Sequence, residues 1–289
     1  TNAILAAGAS LIFLPKFDAD EVLRRMPEAT VLMGVPTFYT RLLQCEALNR
    51  ETTKTMRLFV SGSAPLLAET HRAFETRTGH AIVERYGMTE TQVNASHPYD
   101  GARIPGTVGR PLPGIELRIT DLASGAPLPD GDAGMIEVRG AIVFKGYWRN
   151  PQKTAAELRG DGWFLTGDVG RFDARGYLHI VGRAKDLIIS GGYNVYPIEV
   201  ESEIDKLPGI IESTVIGLPH ADFGEAVTAV VRCKPGATIS EVEIIASLQN
   251  VLAKYKLPKR VLFVDDLPRN ALGKVQKNLL RERYSGVYL

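Results

Sequence analysis

The sequence predicts an α/β protein in which a parallel α/β layer and a β subdomain precede a small α+β domain. Apolar runs alternate with amphipathic helices over the first hundred residues, which is typical of a parallel sheet. From about residue 106 short apolar runs lie between glycine, proline and aspartate clusters, and after residue 185 strands and helices alternate again. The 289 residues, 45% of them apolar, suffice for two domains. We therefore predict a larger domain over residues 1–185 and a smaller one over residues 186–289.

The first region is predicted to contain alternating helices and strands. Residues 1–8 are small and apolar, as at the end of a helix, and the apolar run at residues 11–14 predicts a buried strand. The spacing of Asp18 and Glu21 is that of a capping box, which predicts a helix to about residue 26. The remaining predictions are strands at residues 31–35, 58–60 and 82–86, and a helix at residues 66–78 before Gly79.

The rest of the chain is predicted to be β-rich and then mixed. No long helical pattern separates the middle strands, so we expect a mostly antiparallel sheet from residues 115–119, 135–138 and 177–181. The last region is predicted to contain a strand at residues 187–189, a helix at 197–204 and two strands at 213–217 and 226–232. A helix at 241–255, a strand at 261–264 and a closing helix from about 275 follow. A unit of that size and completeness is a domain.

Composition excludes several classes of function. The net charge is +1 and the basic residues are dispersed, so neither a nucleic-acid nor a membrane surface is expected. No apolar run reaches the roughly 18 residues of a membrane span. Cys45 and Cys233 lie far apart without a metal or disulfide pattern, which favours a reducing cytoplasm. The first residue is Thr1 and no signal peptide is visible, so we expect the chain to begin within a domain.

Two segments that follow predicted strands are candidates for nucleotide binding. In Ser61-Gly62-Ser63-Ala64-Pro65, small side chains let a ring or phosphate approach the backbone; the alternative is a strand-to-helix turn capped by serine. In Tyr86-Gly87-Met88-Thr89-Glu90, the threonine hydroxyl can donate to a phosphate, the glutamate can hold Mg²⁺ and the tyrosine ring can pack on a base. The alternative for this segment is an ordinary helix start.

Three charged residues further along the chain are candidates for the same site. Asp168 follows Gly167 in a predicted turn and could accept hydrogen bonds from ribose hydroxyls, or could only stabilise its own turn. Arg183 could pair with the ribose or a phosphate, or form a surface salt bridge. Lys274 precedes a predicted helix and could meet developing phosphate or carboxylate charge, or could simply be solvated.

A catalytic nucleophile is not indicated by the sequence. The histidines stand apart without metal spacing or a triad companion, at positions 71, 80, 97, 179 and 220. Neither a GxSxG nucleophile elbow nor a Walker phosphate loop occurs.

Taken together, these motifs resemble the adenylate-forming superfamily of acyl-CoA synthetases, luciferases and peptide-synthetase adenylation domains. The resemblance runs from the first residue to about Arg283. Amino-acid-adenylating domains usually carry proline at the Met88 position, so this chain is similar to the acyl-CoA synthetase form. The amino-acid sequence of residues 89–101, 106–109 and 208–225 is most similar to that of malonyl-CoA synthetases.

The resemblance implies a ligase that uses ATP, Mg²⁺ and coenzyme A to convert a carboxylate, through an acyl-adenylate, into an acyl-CoA. It implies that Thr89 contacts the α-phosphate, that Glu90 coordinates Mg²⁺ and that Lys274 bridges the reacting carboxylate and the adenylate. Asp168 and Arg183 would hold the ribose. The adenine pocket would be formed by Ser63, Ala64, Pro65, Arg85, Tyr86 and Gly87.

The resemblance also implies residues that serve the second step. The acid substrate adds a further requirement. Lys185 matches the hinge about which the small domain rotates, and Gly192 would line the tunnel for the pantetheine arm of coenzyme A. A dicarboxylate such as malonate or methylmalonate needs a second cation, for which Arg41 is the candidate, with Arg72 behind it.

One departure from the superfamily concerns the phosphates. The upstream serine-, threonine- and glycine-rich phosphate loop is absent, so the chain resembles only the carboxyl-terminal part of a longer protein, with a partial large domain. We expect it not to adenylate efficiently by itself, because the cradle for the β- and γ-phosphates is missing. The open alternatives are a ligase for a fatty or aryl acid and a non-catalytic nucleotide-binding or interaction fragment.

Overall fold

The computed structural model describes residues 2–270 and 274–288, and the chain divides into two compact units. The first unit contains the residues up to Leu117 together with Arg139–Trp148 and Arg175–His179. The second contains Arg118–Val138, Arg149–Ala174 and Ile180–Leu289. This division differs from a boundary between residues 185 and 186, which stays a prediction.

The first unit is built on a mixed sheet with the strand order β1-β2-β3-β4-β5. Strands β1 (Val31–Gly34), β2 (Leu58–Ser61) and β3 (Val83–Met88) are parallel, whereas β4 (Gln92–Ser96) and β5 (Arg110–Pro111) run antiparallel to their neighbours. The predicted parallel α/β layer is therefore confirmed. Its consequence is that β1, β2 and β3 all end at the same edge of the sheet.

The first unit contains the helices predicted within residues 1–8, 18–26 and 66–78, and a further helix at Pro36–Gln44 that was not predicted. They are α1 (Asn2–Ala6), α2 (Ala19–Arg25), α3 (Pro36–Gln44) and α4 (Ala68–Thr78). The Asp18 carboxylate accepts a hydrogen bond from the backbone N–H of Glu21 and caps α2. The fully buried rings of Tyr39 and Phe74 meet edge to face at 5.3 Å in the core beneath these helices.

The prediction of a buried strand at residues 11–14 is wrong. These residues form no strand, and the exposed fractions of Leu11, Ile12 and Phe13 are 46%, 41% and 78%. An apolar run becomes a strand only where another strand satisfies its backbone groups. No such pairing to it occurs within residues 2–270 and 274–288.

A second sheet of four strands confirms the predicted β subdomain, and its two central strands pair antiparallel. Its strand order is β6-β7-β8-β9, formed by Ile115–Thr120, Gly134–Gly140, Phe164–Phe172 and Leu178–Arg183. The expected glycine turn at residues 166–168 is wrong, because Asp168 lies inside β8. The ladder between β7 and β8 shifts register between Met135 and Glu137, which pair with Val169 and Leu165. The three residues between Leu165 and Val169 therefore form a bulge on β8. One short helix, α5 (Pro151–Glu157), precedes β8.

The carboxyl-terminal α+β region is also confirmed, with different element lengths. The strand order is β11-β10-β13-β12, with β14 parallel to β13. The strands are β10 (Ile188–Ser190), β11 (Tyr193–Val195), β12 (Ile210–His220), β13 (Gly224–Cys233) and β14 (Arg260–Phe263), and the helices are α6 (Pro197–Ile204), α7 (Glu241–Leu248) and α8 (Lys277–Arg283). Helix α7 stops well before the predicted residue 255, and a single 3₁₀ turn, Lys254–Lys256, follows it. Of the helices described, none is long and apolar enough to cross a bilayer.

Candidate functional site

The candidate site of the first unit lies at the edge where its parallel strands end. Ser61 at the end of β2 pairs in register with Gly34 of β1 and Glu84 of β3. The loop after β2 and the end of β3 therefore meet, as expected for ligand sites of parallel sheets. The contact is close, because a Cβ placed on Gly62 would lie 3.1 Å from Cζ of Arg85.

The loop after β2 presents its predicted ligand-binding residues at the surface. Ser63, Ala64 and Pro65 are exposed, and Ser63 has a left-handed backbone with φ of 72°. The residue that caps helix α4 is Leu67, and no side chain caps that helix. The alternative reading of this loop as a turn capped by serine is therefore wrong.

Tyr86 and Gly87 lie in a hairpin rather than at a helix start. Tyr86 is buried, and β3 turns into β4 with the N–H of Thr91 donating to the carbonyl of Met88 at 3.2 Å. A Cβ at Gly87 would fall 1.8 Å from the carbonyl oxygen of Gln92, so only glycine fits. The alternative of a helix beginning at Thr89 and Glu90 is wrong.

Thr89 and Glu90 occupy the tip of this hairpin. Thr89 is exposed, so its hydroxyl is accessible to a ligand. The Glu90 carboxylate accepts one hydrogen bond from the Tyr147 hydroxyl, at 3.1 Å to Oε1. Its backbone carbonyl accepts another from the N–H of Phe144, at 2.8 Å. The Glu90 carboxylate is therefore held in place while retaining acceptor capacity.

Arg85 is a partly buried cation at the same edge. Its guanidinium makes no hydrogen bond or ion pair with any residue the structure describes. The other candidate cations differ: Arg41 is exposed on α3, where its Cζ lies 6.0 Å from the Phe17 ring centroid, and Arg72 is exposed on α4. A half-buried guanidinium without an anion is a natural site for an anionic ligand.

A buried polar network supports β3 just before Arg85. Ile82 N–H donates to Nε2 of His71 at 3.2 Å, which leaves Nδ1 to donate to the Glu84 carboxylate at 3.1 Å. Glu84 N–H donates to Nδ1 of His97 at 3.1 Å, and Nε2 of His97 lies 2.9 Å from the Thr107 hydroxyl. Residue spacing does not reveal this network, since its members come from different elements.

Burial shifts the pKa of two members of the network. Burial raises the pKa of Glu84, and the hydrogen bond from His71 opposes that rise. Burial lowers the pKa of His97 to about 4, so its ring is neutral at pH 7. The network is thus a structural support for the strand.

In the second unit, the two predicted ribose ligands are brought together. Nε of Arg183 lies 2.8 Å from Oδ1 of Asp168, with the Asp168 side chain 8% exposed and that of Arg183 43% exposed. The N–H of Asp168 donates to the Thr166 hydroxyl at 3.0 Å. The carboxylate is therefore fixed by a charged partner at the border between core and solvent.

The predicted hinge and tunnel residues lie in exposed connections of the second unit. Lys185 is exposed in the 3₁₀ turn Ala184–Asp186 that follows β9. Gly192 and Gly191 form the two-residue turn between β10 and β11, with φ of 81° and 59°. Positive φ at both residues is the type I′ geometry that favours glycine. Nothing lies within 4 Å of a Cβ built on Gly192, so its surroundings are open.

Lys274 lies just before α8, next to an isolated β-bridge between Val275 and Arg269. Its N–H donates to Oδ1 of Asn270 at 3.0 Å, and its carbonyl accepts from the N–H of Asn270, also at 3.0 Å. The side chain is exposed, and its ammonium has no partner within the described part of the chain. The preceding glycine, Gly273, lies outside the described residues.

Comparison with known proteins gives two sequence-family matches and close relatives. The family described as AMP-binding enzyme matches residues 1–148, and the AMP-binding enzyme C-terminal domain matches residues 199–274. A malonate–CoA ligase from Arabidopsis thaliana is 39% identical, over 97% of this chain and 51% of its own length. A long-chain-fatty-acid–CoA ligase from Bacillus subtilis is also 39% identical, over 97% of this chain and 50% of its own length.

A solved structure is more similar still. The crystal structure of ATP-bound MatB from Rhodopseudomonas palustris matches with 63% identity and a TM-score of 0.97, over 100% of this chain and 57% of its own. The chain spans about half the length of the curated relatives it matches.

Proposed function

Because the chain belongs to the AMP-binding enzyme family, we propose that it is part of an acid–thiol ligase that uses ATP to join a carboxylic acid to coenzyme A. The acid we propose is malonate or methylmalonate. The observation that carries the proposal is the edge of the parallel sheet, where the loop after β2 meets the Arg85–Glu90 end of β3. Since the chain spans about half the length of its curated relatives, the activity is proposed for the full-length protein.

The proposed reaction has two steps. In the first, a carboxylate oxygen attacks the α-phosphorus of ATP, and the bond from that phosphorus to the pyrophosphate oxygen breaks. In the second, the thiolate sulfur of coenzyme A attacks the acyl carbon of the acyl-adenylate, and AMP leaves with the electron pair of the broken C–O bond. The thiol proton is released to solvent. Both steps develop charge on oxygen, which positioned donors stabilise.

The nucleotide-binding roles follow from exposure and hydrogen-bonding capacity. Ser63, Ala64 and Pro65 are exposed beside β3 and are proposed to line the adenine pocket with Tyr86, Gly87 and the backbone of Arg85. The accessible Thr89 hydroxyl would donate to the α-phosphate. In the second unit, the Asp168 carboxylate would accept from the ribose hydroxyls while Arg183 fixes its orientation.

Glu90 fits the Mg²⁺ that ATP chemistry needs. At nucleotide sites Mg²⁺ is typically bound by one or two carboxylates together with phosphate oxygens and water. Glu90 supplies one such carboxylate, oriented by the Tyr147 hydroxyl and with acceptor capacity to spare. When bound, the ion would neutralise charge on the phosphates. The protein's part is to hold the Glu90 carboxylate at the hairpin tip.

Lys274 is the proposed catalytic cation of the first step. Its exposed ammonium can reach a ligand, and its backbone is fixed by Asn270. A compact charge of this kind stabilises developing charge on the carboxylate and the α-phosphate. Lys185 as the hinge and Gly192 beside the pantetheine arm are proposed on the resemblance and on their exposed positions.

The partly buried Arg85 favours an acid that carries a second negative charge. Arg41, the cation that the sequence suggests, lies about 7 Å along α3 from the sheet edge, at a rise of 1.5 Å per residue from Pro36. Arg85 lies at the edge itself and has no anionic partner in the described structure. We therefore propose Arg85 as the ligand of the distal carboxylate and keep Arg41 as the alternative.

A panel of acids tests the proposal. The full-length protein, ATP, Mg²⁺ and coenzyme A are incubated with malonate, methylmalonate, a long-chain fatty acid or an aryl acid, and loss of free thiol is followed. We expect the dicarboxylates to react fastest. A fatty or aryl acid as the best substrate would favour the relatives of that class, and no thiol loss with any acid would contradict the ligase. A cytoplasmic location is proposed from the two unpaired cysteines alone.

A further inference from the structure

We propose that Lys277 and Glu201 are positioning residues that hold the loop bearing Lys274 in place for the first step of the proposed reaction. The inference rests on the proposed function, because it assigns their role through Lys274. Neither residue is proposed to touch the substrate. Three features support this role: an ion pair, the short path from it to Lys274, and a second attachment through Arg269 on the other side of Lys274.

The ion pair is short and mostly buried. Nζ of Lys277 lies 2.6 Å from Oε1 of Glu201, and their side chains are 18% and 13% exposed. The ammonium also donates to the carbonyl of Val215 at 3.1 Å, and the same Glu201 oxygen accepts from the N–H of Val215 at 2.7 Å. Lys277 is thus attached both to helix α6, through Glu201, and to the backbone of β12.

The pair does not stabilise its own helix. Lys277 is the first residue of α8, and a cation at a helix amino terminus opposes the helix dipole. Its position is therefore explained by the bond to Glu201 rather than by a gain in helix stability. An ion pair of this burial is sensitive to loss of one partner, because the remaining charge is left without compensation.

The path from the pair to Lys274 is short and rigid. Lys277 follows Lys274 by three residues, and the residues between them are fixed by backbone contacts. Val275 forms an isolated β-bridge with Arg269, and the N–H of Gln276 donates to the carbonyl of Pro268 at 2.8 Å. A displacement of Lys277 is thus transmitted to the backbone of Lys274.

The other side of the loop is attached to the same strand. Arg269 forms an ion pair with Glu212, which lies on β12 as Val215 does. The loop is therefore fixed to β12 on both sides of Lys274. Such attachment matters because a misplacement of about 1 Å can cost roughly a hundredfold in rate.

Helix α6 offers a matched control. Its Glu199 pairs with Lys256 through Oε2 and Nζ at 2.7 Å, with side chains 35% and 21% exposed. This pair joins α6 to the 3₁₀ turn at Lys254–Lys256, and in the described part of the chain neither partner forms a hydrogen bond or ion pair with residues 274–277. Lys256→Met thus breaks a similar ion pair on the same helix.

The test separates the two steps in the full-length protein. Adenylation is followed as malonate-dependent exchange between ATP and pyrophosphate, and transfer is followed with synthetic malonyl-adenylate and coenzyme A. For Lys277→Met and Glu201→Gln we expect adenylation to fall at least about tenfold while transfer stays within about twofold. Lys277→Arg should recover much of the adenylation rate, and Lys256→Met should leave both steps near wild type.

Equal losses in both steps for Lys277→Met, or an unchanged adenylation rate, would overturn the inference. Hydrogen exchange gives a readout that does not need activity: the amides of Lys274 and Gln276 should exchange faster in Lys277→Met than in Lys256→Met. If the wild-type protein shows no exchange of pyrophosphate, the proposed function fails and the catalytic inference falls with it. If the wild-type protein shows exchange of pyrophosphate and the Lys277 and Glu201 variants show it at the same rate, the inference fails while the proposed function stands.

Discussion

Arg85 is the single residue that narrows the substrate class most. It comes directly after Glu84, whose side chain is locked by His71 and whose N–H is bound by His97. The guanidinium is thereby presented at the sheet edge against Gly62, while its backbone is held by the strand. A cation fixed in this way needs an anion, and a dicarboxylate supplies one in addition to the group that reacts.

Replacing Arg85 tests this assignment. For Arg85→Met in the full-length protein we expect KM for malonate to rise about tenfold or more, because a hydrogen bond to a charged group contributes roughly 1.5–3 kcal/mol. Turnover of a short monocarboxylate such as butyrate should be retained. Arg41→Met is the control. Because an ion pair of an exposed side chain contributes little, this variant should change KM for malonate by less than about twofold. The reverse pattern in the two variants would assign the distal carboxylate to Arg41 instead.

His97 gives a pH-dependent contribution to stability. Burial lowers its pKa from 6.5 to about 4, so between these values the unfolded chain binds more protons than the folded one. The free energy of unfolding should therefore rise with pH over that range, by about 3 kcal/mol from this group. In His97→Gln this dependence is lost, so the stability difference between wild type and variant should shrink as pH falls from 6.5 to 4.

Urea denaturation at several pH values measures this difference. Because burial raises the pKa of Glu84 and Glu84 belongs to the same hydrogen-bond network, the difference reports His97 together with any change that the substitution causes at Glu84. A stability difference that is constant from pH 4 to pH 7 would contradict a neutral buried ring at this position.

At the scale of single residues, the sequence suggests which residue types a site would use, but it does not show which of these residues are in contact. Glycine and hydroxyl residues after strands predict ligand-binding loops, a role that stays a prediction, and the structure brings the loop after β2 to Arg85. The pairing of Glu90 with Tyr147 and of His71 with Glu84 could not be predicted. These partners are separated along the chain, and only the assembled sheet and loops bring them together.

Helix α6 is an element with both a stabilising and a destabilising charge. Its Glu201 is paired with Lys277, whereas Asp205 follows the helix at its carboxyl end, where the dipole disfavours a negative charge. Burial raises the pKa of Asp205 from 3.8 to about 7; the charge of Glu201 adds to the rise, and hydrogen bonds from Ser213 oppose it. Its Oδ1 is buried without a partner in the described structure.

Asp205→Asn is therefore expected to stabilise the protein at alkaline pH. The folded state favours the protonated acid, so this contribution to stability is present below pH 3.8 and is lost as pH rises through 7. At pH 8 we expect the variant to be more stable by about 4 kcal/mol, and at pH 4 by much less. Thermal unfolding at the two pH values checks this, and an equal effect at both would show that Asp205 is not protonated in the fold.

At the scale of elements, strands with continuous apolar runs were predicted. The predictions failed for segments whose structure depends on whether another strand pairs with them. Strands β1 and β2 have continuous runs and were predicted, and β3 was predicted as well although Glu84 and Arg85 interrupt its apolar pattern. Strand β8 was missed because Thr166, Gly167 and Asp168 interrupt its apolar pattern, although β7 pairs with it. The same dependence on partners explains residues 11–14, which have the composition of a strand and no pairing partner in the described chain.

At the scale of the molecule, the proposed groups are distributed over two compact units. The residues proposed for adenine, the α-phosphate and the acid belong to the first unit, and Asp168, Arg183 and Lys274 belong to the second. Neither unit alone contains all the groups that the proposed reaction needs. The domain boundary at residue 185 and the hinge at Lys185 stay predictions.

Lys274→Ala tests the contribution of the second unit to the chemistry. We expect malonate-dependent exchange between ATP and pyrophosphate to fall at least about a hundredfold, since a positioned donor to developing charge contributes on that order. Transfer from synthetic malonyl-adenylate to coenzyme A should be retained. A parallel loss of both steps would mean that Lys274 supports the fold or the second step instead.

In the proposed reaction the nucleotide activates the acid by adenylation. The most direct measurement is mass spectrometry of the products formed by the full-length protein with ATP, Mg²⁺ and malonate in the absence of coenzyme A. We predict malonyl-adenylate and pyrophosphate, and malonyl-CoA and AMP once coenzyme A is added. Formation of ADP and phosphate, or no nucleotide product that depends on the acid, would contradict adenylation.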